Sequence, residues 1–226
     1  MNDMSETLIQ TENLCKTFRS GKLETPVLFD INLHIRRGEF VAVMGPSGCG
    51  KSTLMHILGL MLSASSGRIL LDGADAATLN ETDRAKLRRE KIGFVFQRFN
   101  LLPTVSAYQN IALAERIRRH RPDSRIQDVL DAVQMADRAH YKPGQLSIGQ
   151  QQRIAIARAI VHKPAIVMAD EPTGNLDSAN AQNILDLFRK IHETGGMTII
   201  LITHSQMAAQ AADRIIHLND GRIEHG

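Results

Sequence analysis

The sequence predicts an α/β fold: a mostly parallel sheet flanked by helices, with antiparallel strands around its start and a helical lobe inserted later. Three observations carry this. Residues 45–52 read GPSGCGKS, a glycine-rich loop of the form G-x-x-x-x-G-K-[ST], with an apolar run before it and a helical period after it. Short apolar runs (FVAVM, IGFVF, IVMA, TIILIT) recur along the chain and alternate with helical segments, as buried parallel strands do. Between residues 106 and 161 the periods are helical, with no strand candidate.

In chain order, the stretch from Leu8 to Asp72 is mostly β. Ile31, Leu33 and Ile35 alternate with polar residues, Arg36-Arg37-Gly38 makes a turn, and residues 40–44 lead into the loop. Phe18 is an aromatic of this early segment. After the loop, Leu54, Ile57, Leu58 and Met61 have helical spacing, and residues 69–71 form a strand that turns at Asp72-Gly73. Residues 92–96 are a buried strand stopping at Gln97. Helices follow at about 111–119, 126–135 and after Ser147. Pro164 ends the last of these, and the strand at 166–169 delivers Asp170 and Glu171. Ile184, Leu187, Phe188 and Ile191 mark a helix closed by Gly195-Gly196. The strand at 198–202 ends in Thr203-His204, and a last strand at 215–218 turns at Asp220-Gly221. The expected organisation is one domain over 1–226 with the helical lobe at about 104–163.

Composition narrows the class. At 226 residues, 43% hydrophobic and 23% charged, the chain has the profile of an ordinary globular protein. Its apolar runs are too short to cross a bilayer, so membrane work goes through a partner. The polar, acid-containing start has no secretion signal, which places the chain in the cytoplasm. A net charge of +3 does not argue for nucleic acid, and the basic run at 116–121 reads as a solvated helix end. Two cysteines, Cys15 and Cys49, give no disulfide framework.

The chemistry converges on a phosphate. Gly45, Pro46, Ser47, Gly48, Cys49 and Gly50 form a turn whose backbone N–H groups face phosphate oxygens, and Ser52 and Thr53 open the helix behind it. Lys51 belongs on the β- and γ-phosphates of a nucleotide, and the Ser52 hydroxyl on Mg²⁺. In an open parallel sheet the carboxyl ends of the strands face the ligand, which aims Asp170 and Glu171 at the loop. Asp170 then shares the Mg²⁺ shell, and Glu171 reaches the water that attacks the γ-phosphorus. His204, leaving the same edge, can hydrogen-bond the γ-phosphate. Glu171, His204 and Lys51 are the expected catalytic residues, and this core is a P-loop NTPase. Cys49, at a helix start beside Lys51, is expected to be a reactive thiol that nucleotide protects.

In order and identity these motifs resemble the ATP-binding subunit of an ATP-binding-cassette transporter over essentially the whole chain. GPSGCGKS resembles the Walker A loop, Gln97 the Q-loop, LSIGQ at 146–150 the signature, residues 166–170 Walker B, Asn175-Leu176-Asp177 the D-loop and His204 the switch histidine. Phe18 falls where the family stacks an aromatic on adenine. FVFQRFNLLP at 94–103 and GNLD at 174–177 are similar to the lipoprotein-releasing and macrolide-exporting branch. The resemblance implies ATP and Mg²⁺ as ligands, with Gln97 sensing Mg²⁺, and a head-to-tail homodimer in which Ser147, Gly149, Gln150 and Asp177 face the partner subunit's nucleotide. Phe99, Leu101, Leu102 and Val105 follow no strand or helix period and are expected to form an exposed apolar groove, and the resemblance further implies a membrane permease docking at residues 97–108, and hence a peripheral position on the inner face of the membrane. Ile148 departs from the family's usual glycine, and its β-branched side chain implies an ordinary backbone there. Every motif is shared by transport ATPases and by regulatory relatives of the cell-division type, so both functions stay open. Soluble ABC proteins of DNA repair or translation are disfavoured, because they carry two cassettes or long coiled-coil insertions, whereas this sequence shows one phosphate loop and a helical lobe too short for a coiled coil.

Overall fold

The computed structural model describes residues 7–118 and 125–224. The first six residues and the basic residues 119–121 lie outside them. Strands β1 (Thr7–Ser20) and β2 (Leu23–Arg36) precede β3 (Phe40–Met44), the glycine loop and helix α1 (Lys51–Leu58). Then come β4 (Ser66–Leu71), β5 (Ala74–Asp75), α2 (Glu81–Lys91) and β6 (Ile92–Val95). Between β6 and β7 (Ile166–Asp170) the described elements are helical: α3 (Ala107–Ile117), α4 (Arg125–Ala132), two 3₁₀ turns and α5 (Ile148–Ile160). The chain closes with α6 (Ser178–Gly195), β8 (Thr198–Thr203), α7 (Gln206–Ala209), β9 (Arg214–Asn219) and β10 (Arg222–Glu224).

Two sheets result, an antiparallel one in the order β2-β1-β4-β5 and a six-stranded one in the order β10-β9-β3-β8-β7-β6. In the second, only the β9–β10 pair is antiparallel. Its central strands are apolar at nearly every position because both faces are covered. Along β8, Ile199 and Leu201 pack toward α3–α7, whereas Ile200 and Ile202 pack toward α1 and the antiparallel sheet. Strand β7 divides the same way, Val167 and Ala169 against Ile166 and Met168. Period-two side chains thus build two cores from one sheet.

Helix α2 was not marked by hydrophobic period, because none of its residues is buried. It is held at its start by the Asn80 side chain, which accepts from the Asp83 N–H, and at its end by Lys91 Nζ, 2.8 Å from Asp72. The basic run at the end of α3 is divided: Arg116 is exposed, whereas Arg118 turns inward and donates from Nε to the Arg89 carbonyl at 2.6 Å. The reading of that run as a wholly solvated helix end therefore fails at Arg118.

Asp72 joins three elements, binding Lys91 of α2 and Arg37 of the β2–β3 turn from the end of β4. The Lys91 hydrogen bond holds its carboxyl below the ordinary value, with Arg37 adding to this and burial opposing it. A lowered folded-state pKa gives stability that is present above the unfolded value, near 3.9, and is lost as pH falls through the folded one. Asp72→Asn, which keeps the left-handed backbone accessible (φ 52°), is expected to lower stability at pH 7 by up to about 1 kcal/mol. In urea titrations the deficit should shrink toward zero below about pH 3. A deficit that persists there would assign it to packing.

Candidate functional site

The register of the parallel sheet decides where chemistry can occur. Met44 of β3 lies opposite Thr203 of β8, and Ile202 of β8 opposite Asp170 of β7, so three neighbouring strands end at one edge. They release the glycine loop, Glu171 and His204 there. A hollow of about 510 Å³ opens at this edge, lined by Ser47, Gly48, Gly50, Lys51, Ser52, Thr53, Gln97, Glu171 and His204, with Val27 of β2 on one wall.

The loop is built to leave donors free. Gly50, at φ 104°, starts α1 without a side-chain cap, and no acidic residue stands in the first turn, so the helix presents bare N–H groups and a positive end. Gly45 sits at the base, where a Cβ would lie 2.0 Å from the Leu218 carbonyl oxygen. Lys51 is nearly buried, and its Nζ donates to the Gly45 and Pro46 carbonyls at 2.7 Å each. Its charge is met by neutral oxygens, so an anion entering the hollow finds an ammonium already positioned.

At the opposite wall, Glu171 has φ 45°, a left-handed conformation that costs a non-glycine residue about 1–3 kcal/mol. Its N–H donates to the Ile202 carbonyl at 2.9 Å, and its own carbonyl accepts from the Gly174 N–H at 3.0 Å. The Oε1 atom lies 2.7 Å from His204 Nδ1, and Oε2 accepts from the Thr203 hydroxyl at 3.4 Å. Asp170 is half-buried; burial pushes its carboxyl above the ordinary value, nearby His56 opposes this, Glu171 adds to it and Lys51 opposes it. The Ser52 hydroxyl, the Asp170 carboxylate and the Gln97 amide are hard oxygen donors of the type a small divalent cation takes alongside phosphate oxygens.

A model of the ABC transporter family matches residues 28–174. The chain belongs to the ABC transporter family. It is 48% identical over 225 residues to the macrolide export ATP-binding/permease protein MacB of Brucella abortus, covering 96% of this chain and 34% of that protein. The chain thus spans about a third of the length of that relative. The lipoprotein-releasing system ATP-binding protein LolD of Bordetella pertussis is 43% identical over 226 residues, covering 99% of this chain and 97% of its own. Among solved structures, a dimeric ATP-binding cassette in a post-hydrolysis state with ADP and Pi superimposes with a TM-score of 0.88 at 39% identity, covering 96% of this chain and 97% of that one.

The remaining expected residues of this ABC chain lie outside the hollow. Phe18 is exposed near the end of β1, opposite Thr25, with Lys16 Nζ 5.0 Å from its ring centre. Ser147 caps α5: its hydroxyl accepts from the Gln150 N–H, and the Gln150 side chain accepts from the Ser147 N–H at 2.9 Å. This box commits the Gln150 carbonyl oxygen to the helix start but leaves the Ser147 O–H free to donate outward. Asp177 caps α6 and is gripped by Asn180, whose Nδ2 lies 2.6 Å from Oδ2. The expected backbone at Ile148 is found, since neither it nor Gly149 has a positive φ.

Two expectations fail. Cys49 is 5% exposed and belongs to the buried cluster between the two sheets, with its Sγ 3.9 Å from Lys51 Nζ, so it is a covered core group and not an open loop thiol. Residues 99–105 do not form one open apolar groove: Leu101 packs on the core, Phe99 and Val105 are half-buried, and Leu102 alone of the four is exposed. The open apolar surface continues instead along α3, through Tyr108, Leu113 and Ile117.

Sequence reasoning also missed the residues that hold this segment. Arg158 of α5 donates to the Phe99 and Asn100 carbonyls at 2.8 and 2.5 Å, and Asn175 Nδ2 donates to the Gln97 carbonyl at 3.0 Å. The available signal for Arg158 was a cation one residue from Ala157, on a helix otherwise apolar on that side.

Proposed function

We propose that this chain is the ATP-hydrolysing, energy-coupling subunit of a transporter, dimerising on ATP to drive a separate membrane permease of the export or lipoprotein-extracting type. The observation that carries the reading is the single hollow joining the glycine loop, Lys51, Glu171 and His204, with the Ser147 and Asp177 helix starts left outside it. A second subunit facing head to tail supplies the Ser147 start, with its hydroxyl free to donate, to the γ-phosphate, which explains why it is built as a helix N-terminus, and the Asp177 loop comes to the same interface. Ser52, Asp170 and Gln97 would hold a Mg²⁺ ion, whose charge would offset that of the β- and γ-phosphates. In this scheme the Glu171 carboxylate takes the proton of the attacking water, and His204, already against it, orients the γ-phosphate side. Phe18 stacks on the adenine. LolD and MacB are named for lipoprotein release and macrolide export, which supports an export or extraction role. Among the described residues no helix is long and apolar enough to cross a membrane, in keeping with a peripheral subunit on the cytoplasmic face.

The permease docks on the exposed apolar ridge formed by Leu102 with Tyr108, Leu113 and Ile117 of α3. A charge placed there must be desolvated without a partner when the ridge is covered. Leu102→Arg, which adds a cation to the hollow beside α3 that Arg116 and Lys142 also line and finds no described carboxylate there, is therefore expected to reduce the share of the chain that co-purifies with membranes by about tenfold, equal to roughly 1.4 kcal/mol. Circular dichroism checks that the variant is folded. Recovery with membranes at the wild-type ratio would remove this ridge from the coupling path.

A further inference from the structure

Among the residues expected on the metal, Gln97 is the one that no strand end or helix start fixes in place. It stands exposed beyond β6, and its side-chain amide makes no hydrogen bond with a described residue. A long side chain that is free to rotate loses entropy when it is fixed on an ion, so an uncommitted amide binds weakly unless its surroundings limit where it can go. Those limits come from one short turn, far away in the chain.

That turn follows Glu171. The Gly174 N–H donates to the Glu171 carbonyl at 3.0 Å and the Leu176 N–H to the Thr173 carbonyl at 3.1 Å, which makes residues 171–176 a compact unit. Its contacts with Gln97 are of two kinds. Asn175 Nδ2 donates to the Gln97 carbonyl at 3.0 Å and so fixes the backbone from which the side chain leaves. Gly174 meets the side chain itself, since a Cβ at 174 would lie 2.9 Å from Gln97 Nε2 and 3.6 Å from Cδ. The amide therefore rests on the glycine with its nitrogen inward. In a planar amide so placed, Oε1 turns away from the glycine, and oxygen is the atom that a hard divalent cation takes. Gly174 lacks the left-handed φ that would require glycine for conformation, so what it supplies is room. Arg158 holds the next carbonyls, of Phe99 and Asn100, from α5, and this keeps the following segment in place independently of the turn.

We infer that Gly174 and Asn175 are positioning residues for metal binding, forming a seat that orients the Gln97 amide oxygen into the hollow that Gln97 lines with Lys51 and Ser52. The inference rests on the reading of Gln97 as a ligand of the divalent cation and adds what places it there. Because the seat belongs to the turn that begins at Glu171, the metal residue and the general base are held by one body.

The test uses the whole chain and reads metal binding without turnover. Mn²⁺ titrated by electron paramagnetic resonance beside a non-hydrolysable ATP analogue reports the affinity of the metal site, and a fluorescent ATP analogue in EDTA reports nucleotide binding without metal. Asn175→Leu keeps the volume and removes the donor, and Mn²⁺ should then bind about three- to tenfold more weakly, the range that one hydrogen bond covers. Gly174→Ala pushes against the flexible end of Gln97 and not against backbone, so the fold should survive and the metal loss should be at least as large. Metal-free nucleotide affinity should stay at the wild-type value in both variants. In a Gln97→Ala background both losses should vanish, because the seat then has no amide to hold. Unchanged Mn²⁺ affinity in the two variants, losses that persist with Gln97→Ala, or an equal fall in metal-free nucleotide binding would overturn the inference while leaving Gln97 a ligand. If Gln97→Ala alone leaves Mn²⁺ affinity unchanged, Gln97 is no ligand, and the underlying reading falls together with the inference.

Discussion

Glu171→Gln is expected to lower kcat for ATP hydrolysis by about 10²–10⁴-fold, the usual contribution of a positioned general base, while ATP still binds. Gln is nearly isosteric with Glu, and the left-handed turn at this position is held by backbone groups, the Ile202 carbonyl and the Gly174 N–H, that the substitution does not touch. The amide oxygen can still accept from His204 and Thr203, so the wall of the hollow keeps its shape. What is lost is the ability to take a proton. ATP then stays intact between the subunits, and a dimer that dissociates with turnover in the wild type should persist in Mg-ATP. Light scattering reads that persistence and a phosphate-release assay reads the rate. A wild-type rate in the variant would remove Glu171 from the role of base.

The parts of the site that were legible in the sequence are those fixed by burial on both faces. Strands β3, β7 and β8 are apolar at nearly every position because helices or the second sheet cover each side, and that continuity placed 45–52, 170–171 and 203–204 at one edge. What local pattern does not encode was missed. Helix α2 buries none of its residues, so it has no apolar stripe to detect, and its hold on the fold comes from Asn80, from Arg84 and Arg88 donating to the Leu62 and Leu60 carbonyls, from Leu87 against the core, and from Lys91 with Asp72. The direction of the Cys49 thiol depends on the loop path set by Gly45 against Leu218, two segments far apart in the chain. Arg158 is one residue on a helix, and its importance comes from carbonyls 58 and 59 positions away. The contacts of Gly174 and Asn175 with Gln97 likewise join separate stretches, and they appear only when those stretches meet.

Gly149→Asp is expected to lower kcat/KM by about 10²–10³-fold, the range that follows loss of a single donor to developing charge, whereas Ile148→Gly should change it less than about threefold. The two positions are adjacent, and the structure separates them. Ile148 is 50% exposed in an ordinary helical backbone, so its side chain points away and glycine there gains only freedom. Gly149 also has no positive φ, so glycine is not needed for conformation. It is needed for space: a Cβ there would lie 3.3 Å from Asn180 Oδ1, beside the side chain that grips Asp177, on the helix start that the proposed dimer turns toward the γ-phosphate. A carboxylate at that point fills the approach and repels the phosphate. In the first turn of α5 the same carboxylate favours the helix by about 0.3–1 kcal/mol, so the melting temperature should hold or rise while activity collapses. That opposition distinguishes a phosphate-facing glycine from a structural one. If Gly149→Asp melts early, or if both variants give the same steady-state rates, the helix start at Ser147 does not face nucleotide.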